Sequence, residues 1–80
     1  MRWQDYIHQT PTILLGKPVF VGTRISVEMI LEELGAGDSI EDICRNYPHL
    51  TPDHVRAACA YAAASLKRDE TVFLEANISL

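Results

Sequence analysis

The sequence predicts a single, mainly α domain in which a short β-hairpin precedes three helices in a helix-turn-helix layout, and an apolar tail follows them. Three observations carry this reading. Apolar residues recur at helical spacing after each of three capping residues, Ser26, Ser39 and Thr51. Two short apolar runs meet across Gly16-Lys17-Pro18. The 80 residues suffice for one small core, whose modest stability makes oligomerisation or a partner a natural complement. The expected division of residues 1–80 is a hairpin over 10–22, a three-helix core over 26–68 and a tail over 69–80.

In the hairpin, Thr10-Pro11-Thr12-Ile13-Leu14-Leu15 is apolar and β-branched and faces Val19-Phe20-Val21 across the Gly16 turn. An isolated hairpin is marginal in water, so this one must pack on the helices or extend a sheet in a second subunit. Gly22 and Thr23-Arg24 lead from it into the first helix, where Ser26 is the cap. Val27, Ile30, Leu31 and Leu34 form that helix's inward stripe, Glu28, Glu32 and Glu33 its wet face, and Gly35 or Gly37 its stop.

Ser39 caps a short second helix, Ile40 to about Asn46, with Ile40, Ile43 and Cys44 inward and Glu41 and Asp42 favourably placed in the first turn. Pro48 closes it, and Leu50 points inward from the connecting turn. Thr51-Pro52-Asp53 is a strong third start, with a cap, proline at the first helical position and an acid after it. Val55, Cys59, Ala62 and Leu66 mark the expected buried stripe, and the helix is expected to end near Lys67 or Arg68. Thr71 to Leu80 is apolar and β-prone: it is either a strand docking on its own domain or a segment kept for a partner.

Charge and motifs narrow the function classes. Seven basic and eleven acidic residues give a formal charge of −4, so contact with nucleic acid requires a local basic face. Arg56, Lys67 and Arg68 on the third helix are the candidates, and a dimer would gather them from two chains into one surface. The alternative for these residues is solvated charge on a helix facing another subunit. Gly16-Lys17-Pro18 lacks the glycine spacing and the Lys-Ser/Thr ending of a phosphate loop, so Gly16 and Gly22 read as turn residues. Arg24 either holds an anion near the first helix's amino end or pairs with Glu28, Glu32 or another acid, and pairing is favoured.

Cys44 and Cys59 read as reduced core residues, and His8, His49 and His54 form no metal-ligand pattern. No metal, cofactor or catalytic constellation is therefore expected, and the chain reads as a non-enzyme. Neither a leader peptide nor a membrane span is read from the sequence, so a cytoplasmic location is expected.

Gly16-Lys17-Pro18, Gly22-Thr23-Arg24 with Ile25-Ser26-Val27, Gly37-Asp38-Ser39-Ile40, Tyr47-Pro48-His49-Leu50-Thr51-Pro52 and Ala60-Tyr61-Ala62 occur in one order. In these motifs the chain, from about Ile13 to Leu66, resembles the domain of unknown function 433 family of small bacterial, antitoxin-like proteins. The resemblance implies a compact homeodomain-like fold that binds operator DNA as a homodimer or higher homo-oligomer. It also implies neutralisation of a toxin similar to PIN-domain ribonucleases, with Val72, Phe73, Leu74 and Ile78 of the tail as the partner-binding residues. The rival reading is an oligomerisation or adaptor module whose hairpin and tail complete a neighbour's sheet, with no nucleic-acid role.

Overall fold

The computed structural model describes the backbone of residues 1–78 and the side chains of residues 1–68. Two short strands, β1 (Ile7–His8) and β2 (Val19–Phe20), precede three helices, α1 (Val27–Gly35), α2 (Ile40–Asn46) and α3 (Pro52–Ile78). The strands pair antiparallel, Ile7 with Phe20 and His8 with Val19. β2 also meets the chain leading into α1, through a Val19–Ser26 bridge and the Phe20 N–H on the Ile25 carbonyl at 3.1 Å. Having chain on both sides explains why Val19 and Phe20 are fully buried although the ribbon is so short.

The hairpin therefore differs from the one the sequence predicts. Its first strand is Ile7–His8, while the expected strand residues Leu14 and Leu15 form a single left-handed turn with Gly16, at φ of 47°, 57° and 82°. The reason lies in burial: Ile7 is 4 % exposed and completes the core, whereas Leu15 is 96 % exposed and completes nothing.

The helices begin where their caps demand. Ser26 Oγ accepts from the Met29 N–H, and Ser39 and Asp42 form a reciprocal capping box at 3.0 and 3.1 Å. α1 ends in a Schellman arrangement: Gly37, at φ +106°, donates to the Leu34 carbonyl and Asp38 donates to Glu33. Pro48 stands in the turn between α2 and α3, where the Leu50 N–H reaches the Tyr47 carbonyl at 2.9 Å and Leu50 drops into the core.

Ile7, Phe20, Val27, Ile30, Ile43, Leu50, Val55, Ala57 and Ala58 form that core, and Leu31, Leu34, Ile40 and Cys44 pack against it. The α1 and α2 stripes are the predicted ones. On α3 the stripe is shifted: Ala57 and Ala58 are fully buried, while Cys59 is exposed and Leu66 is 67 % exposed. Alanine lets α3 approach α1 and α2 closely, so proximity rather than side-chain hydrophobicity selects the inward face. Cys59 is thus a surface thiol and Cys44 a half-buried one. α3 also passes its expected end and continues to Ile78, because Lys67-Arg68-Asp69-Glu70 contains neither glycine nor proline to stop it. The strand considered for the tail is helical backbone over 71–78.

Candidate functional site

Two surfaces follow from this fold. The first is an apolar groove between α1 and α3, of about 410 Å³, lined by Pro18, Val27, Glu28, Leu31, Glu32 and Tyr61. Val27, Glu28, Leu31 and Glu32 line it together because residues three and four apart stack on one helix face. Pro18 is fixed on its side by its carbonyl, which accepts from the Val27 N–H at 3.0 Å. Tyr61 is positioned from α3 by Trp3, whose ring meets it edge-on at 5.0 Å, so the amino end anchors one wall. The floor is apolar and the rim acidic. Lys17 Nζ lies 3.5 Å from Glu28 Oε1, an exposed ion pair of small energetic weight.

The second surface is the exposed side of α3. Arg56, Lys67 and Arg68 are all exposed, and Arg56 Nη1 donates to Asp53 Oδ1 at 3.0 Å. Eleven residues are close to three helical turns, so Arg56 and Lys67 share a face roughly 16 Å apart, with Arg68 about 100° round the axis. The carboxylate of Asp53 occupies part of the Arg56 guanidinium, the group that a phosphate or base edge would need. Val72, Phe73, Leu74 and Ile78 follow on the same helix, and their side chains lie outside the described residues.

The motif residues have structural work. Gly22, at φ +79°, allows the turn in which Thr23 Oγ1 donates to the Phe20 carbonyl at 2.8 Å and accepts from the Ile25 N–H at 3.0 Å. Gly16 extends the left-handed turn that returns the chain toward β2, and Gln9 Nε2 donates to its carbonyl at 2.9 Å. Arg24 is exposed, and Lys17 makes the contact with Glu28 that was expected of it.

His54 has a role that the sequence reading missed. Its Nδ1 accepts from the Thr51 N–H at 3.0 Å and lies 2.8 Å from Thr51 Oγ1, making a capping box with histidine in the place usually held by Glu or Gln. Accepting that N–H leaves the ring proton of the neutral form on Nε2. The same ring meets Tyr6 at 5.0 Å and Phe20 at 5.7 Å, both edge-on. A Thr three residues before a His, across Pro52-Asp53, was the available signal.

Two further groups are electrostatically tuned. The Ser39 N–H and hydroxyl, with Arg45 beside them, hold the Asp42 carboxyl below the usual carboxylate range. Glu33 pushes the Tyr47 phenol up by hydrogen bonding, and burial adds to that. The phenol donates to Met29 Sδ at 3.2 Å while Glu33 Oε2 is buried without a partner, so thioether and carboxylate compete for one proton. Among the described residues, no three His, Cys, Asp or Glu side chains converge in a manner suited to a metal ion. No described helix is long and apolar enough to cross a membrane.

A small, mainly helical domain with a two-stranded ribbon, a capped three-helix core and an acidic-rimmed apolar groove is the class that this geometry defines. The chain belongs to the DUF433 family of proteins of unknown function, whose model matches residues 7–62. It is 34 % identical over 62 residues to the uncharacterized protein y4eO of Sinorhizobium fredii; the match takes in 78 % of this chain and only 28 % of that longer relative. It is also similar to the crystal structure of a DUF433 member from Anabaena variabilis. That likeness has a TM-score of 0.74 and 26 % identity, over 85 % of this chain and 67 % of the other. The match ends at Ala62, just past Tyr61, the last aromatic packed on the core among the described residues.

Proposed function

We propose that the chain is a non-enzymatic, antitoxin-like protein: a cytoplasmic homodimer or higher homo-oligomer with a homeodomain-like, helix-turn-helix core. It neutralises a PIN-like ribonuclease toxin through the carboxy-terminal part of α3 and binds operator DNA through Arg56, Lys67 and Arg68. The observation that carries this reading is the length of α3. The helix has 27 residues, yet the last described side chain packed on the core is Tyr61. Seventeen residues from there to Ile78 correspond to about 25 Å of helical backbone beyond Tyr61. A segment of that kind, with Val72, Phe73, Leu74 and Ile78 in its sequence, suits docking into a partner's groove. Deleting Thr71 to Leu80 should abolish toxin binding and leave the core folded; undiminished binding by the shortened chain would refute the assignment.

A second reading has its own support. The acidic balance, the acidic groove rim and the Asp53 carboxylate on Arg56 all favour a protein partner over phosphate, as in an oligomerisation or adaptor module without DNA. The salt dependence of DNA binding separates the two readings, because only the first predicts any binding that weakens as counterions are added.

A further inference from the structure

Leu15 combines three properties that do not ordinarily coincide. It is a large apolar side chain, it is 96 % exposed, and its backbone sits at φ 57°, ψ 33°, where residues other than glycine and asparagine are strained. Leu14, at φ 47°, precedes it under the same strain. The turn is nonetheless tightly pinned: Gly16 donates to the Ile13 carbonyl at 3.0 Å, Lys17 to Leu14 at 3.1 Å, and Gln9 Nε2 to Gly16 at 2.9 Å. These hydrogen bonds hold the backbone, but the Leu15 side chain packs on no core residue. Strain held in place by surrounding hydrogen bonds points to a use outside the fold.

A receptor for that side chain adjoins the turn. Pro18, which lines the apolar groove, is only three residues from Leu15, at most about 11 Å of chain. The Lys17–Glu28 contact at 3.5 Å ties the turn to the groove's rim. Charge is complementary as well: Lys17 is next but one to Leu15, and Glu32, at the rim, makes no ion pair among the described residues. A protruding apolar residue beside an apolar pocket suits pairing about a two-fold axis, in which each chain gives and receives at once.

We infer that the Leu14–Leu15 turn is a docking knob for a second copy of this chain, with Leu15 of each protomer entering the Pro18, Val27, Leu31 and Tyr61 groove of the other. Lys17 then exchanges its contact with Glu28 for one to the partner's Glu32. This gives a surface to the self-association in the proposed function, and so rests on that part of it.

The test is sedimentation equilibrium on the full chain, with thermal unfolding measured at dilutions where the protein is monomeric. The wild type should dimerise reversibly. Leu15→Asn removes two buried side chains per dimer, so the dissociation constant should rise about 100-fold, roughly tenfold for each. Asparagine tolerates the left-handed backbone, so the same variant should unfold at an equal or higher temperature than wild type, a sign that misfolding cannot mimic. Glu32→Lys, a change at an exposed rim residue, should also weaken the dimer. A wild type that stays monomeric, or a dimer whose dissociation constant is unchanged in Leu15→Asn, overturns the inference. A monomeric chain that still captures a ribonuclease would overturn it while leaving the toxin-binding reading intact.

Discussion

Replacing His54 with alanine tests whether the amino end of α3 is held as described. The change removes the acceptor for the Thr51 N–H at 3.0 Å, and losing such a cap costs about 1 kcal/mol. It also removes edge contacts to Tyr6 at 5.0 Å and Phe20 at 5.7 Å, each worth roughly 0.5–1.5 kcal/mol for aromatic pairs. The sum is about 2–4 kcal/mol, which in a domain of this size lowers the thermal midpoint by roughly 10–30 °C. Two further variants divide that sum. His54→Gln keeps a side-chain acceptor at the capping-box position and loses the rings, so it should recover about 1 kcal/mol of the loss. Thr51→Ala keeps the rings and the backbone N–H on Nδ1, loses the hydroxyl that caps the His54 N–H, and should cost about 1 kcal/mol. Urea titration followed by far-UV circular dichroism measures all three, with the slope checked for constancy. A His54→Ala midpoint within the range of an ordinary surface substitution, about 0.5 kcal/mol, would refute the reasoning.

Other consequences are as specific. The lowered pKa of Asp42 means that its contribution to α2 is fully present above the ordinary carboxylate pKa and is lost as pH falls through the lowered value. Amide-exchange protection over Ile40–Asn46, taken relative to the intrinsic exchange rate at each pH, should therefore fall in acid, and Asp42→Ala should remove that dependence. Ile30→Ala, at a fully buried position, should destabilise the fold by about 2–5 kcal/mol in the same urea assay. Gly22→Ala should cost about 1–2 kcal/mol through its φ of +79° alone, since nothing lies within 4 Å of the added methyl group. Converting Arg56, Lys67 and Arg68 to alanine should remove operator binding in an electrophoretic shift assay, and binding that persists with the same salt slope would exclude α3 as the reader.

The helices were legible because their starts are local chemistry. Ser26, Ser39 and Thr51 each satisfy orphan N–H groups within three residues, and Gly37 provides the left-handed stop that no side chain but hydrogen adopts cheaply. The β1 strand was not legible for the opposite reason. Thr10 to Leu15 has the better strand composition, yet Ile7 wins because pairing it with Phe20 buries it, a tertiary reward that composition does not record. The α3 stripe departs from its pattern for a related reason: Ala57 and Ala58 are buried by close helix approach, whereas the larger Cys59 and Leu66 are exposed. The groove draws on Pro18, on α1 and on Tyr61, segments separated in the chain, and no motif announces such a combination. Arg56, Lys67 and Arg68 lie at exposed positions of α3, but the Asp53 contact on Arg56 depends on rotamers that spacing does not dictate.

The proposed toxin-neutralising role stands or falls on one co-purification. The tagged chain is expressed together with the product of its neighbouring gene, and the eluted species is sized and assayed for ribonuclease activity. A stable complex in which that activity is suppressed, and which is lost when Thr71 to Leu80 is deleted, is the predicted result. A chain that elutes without its neighbour, or a complex that forms equally well after the deletion, would contradict it.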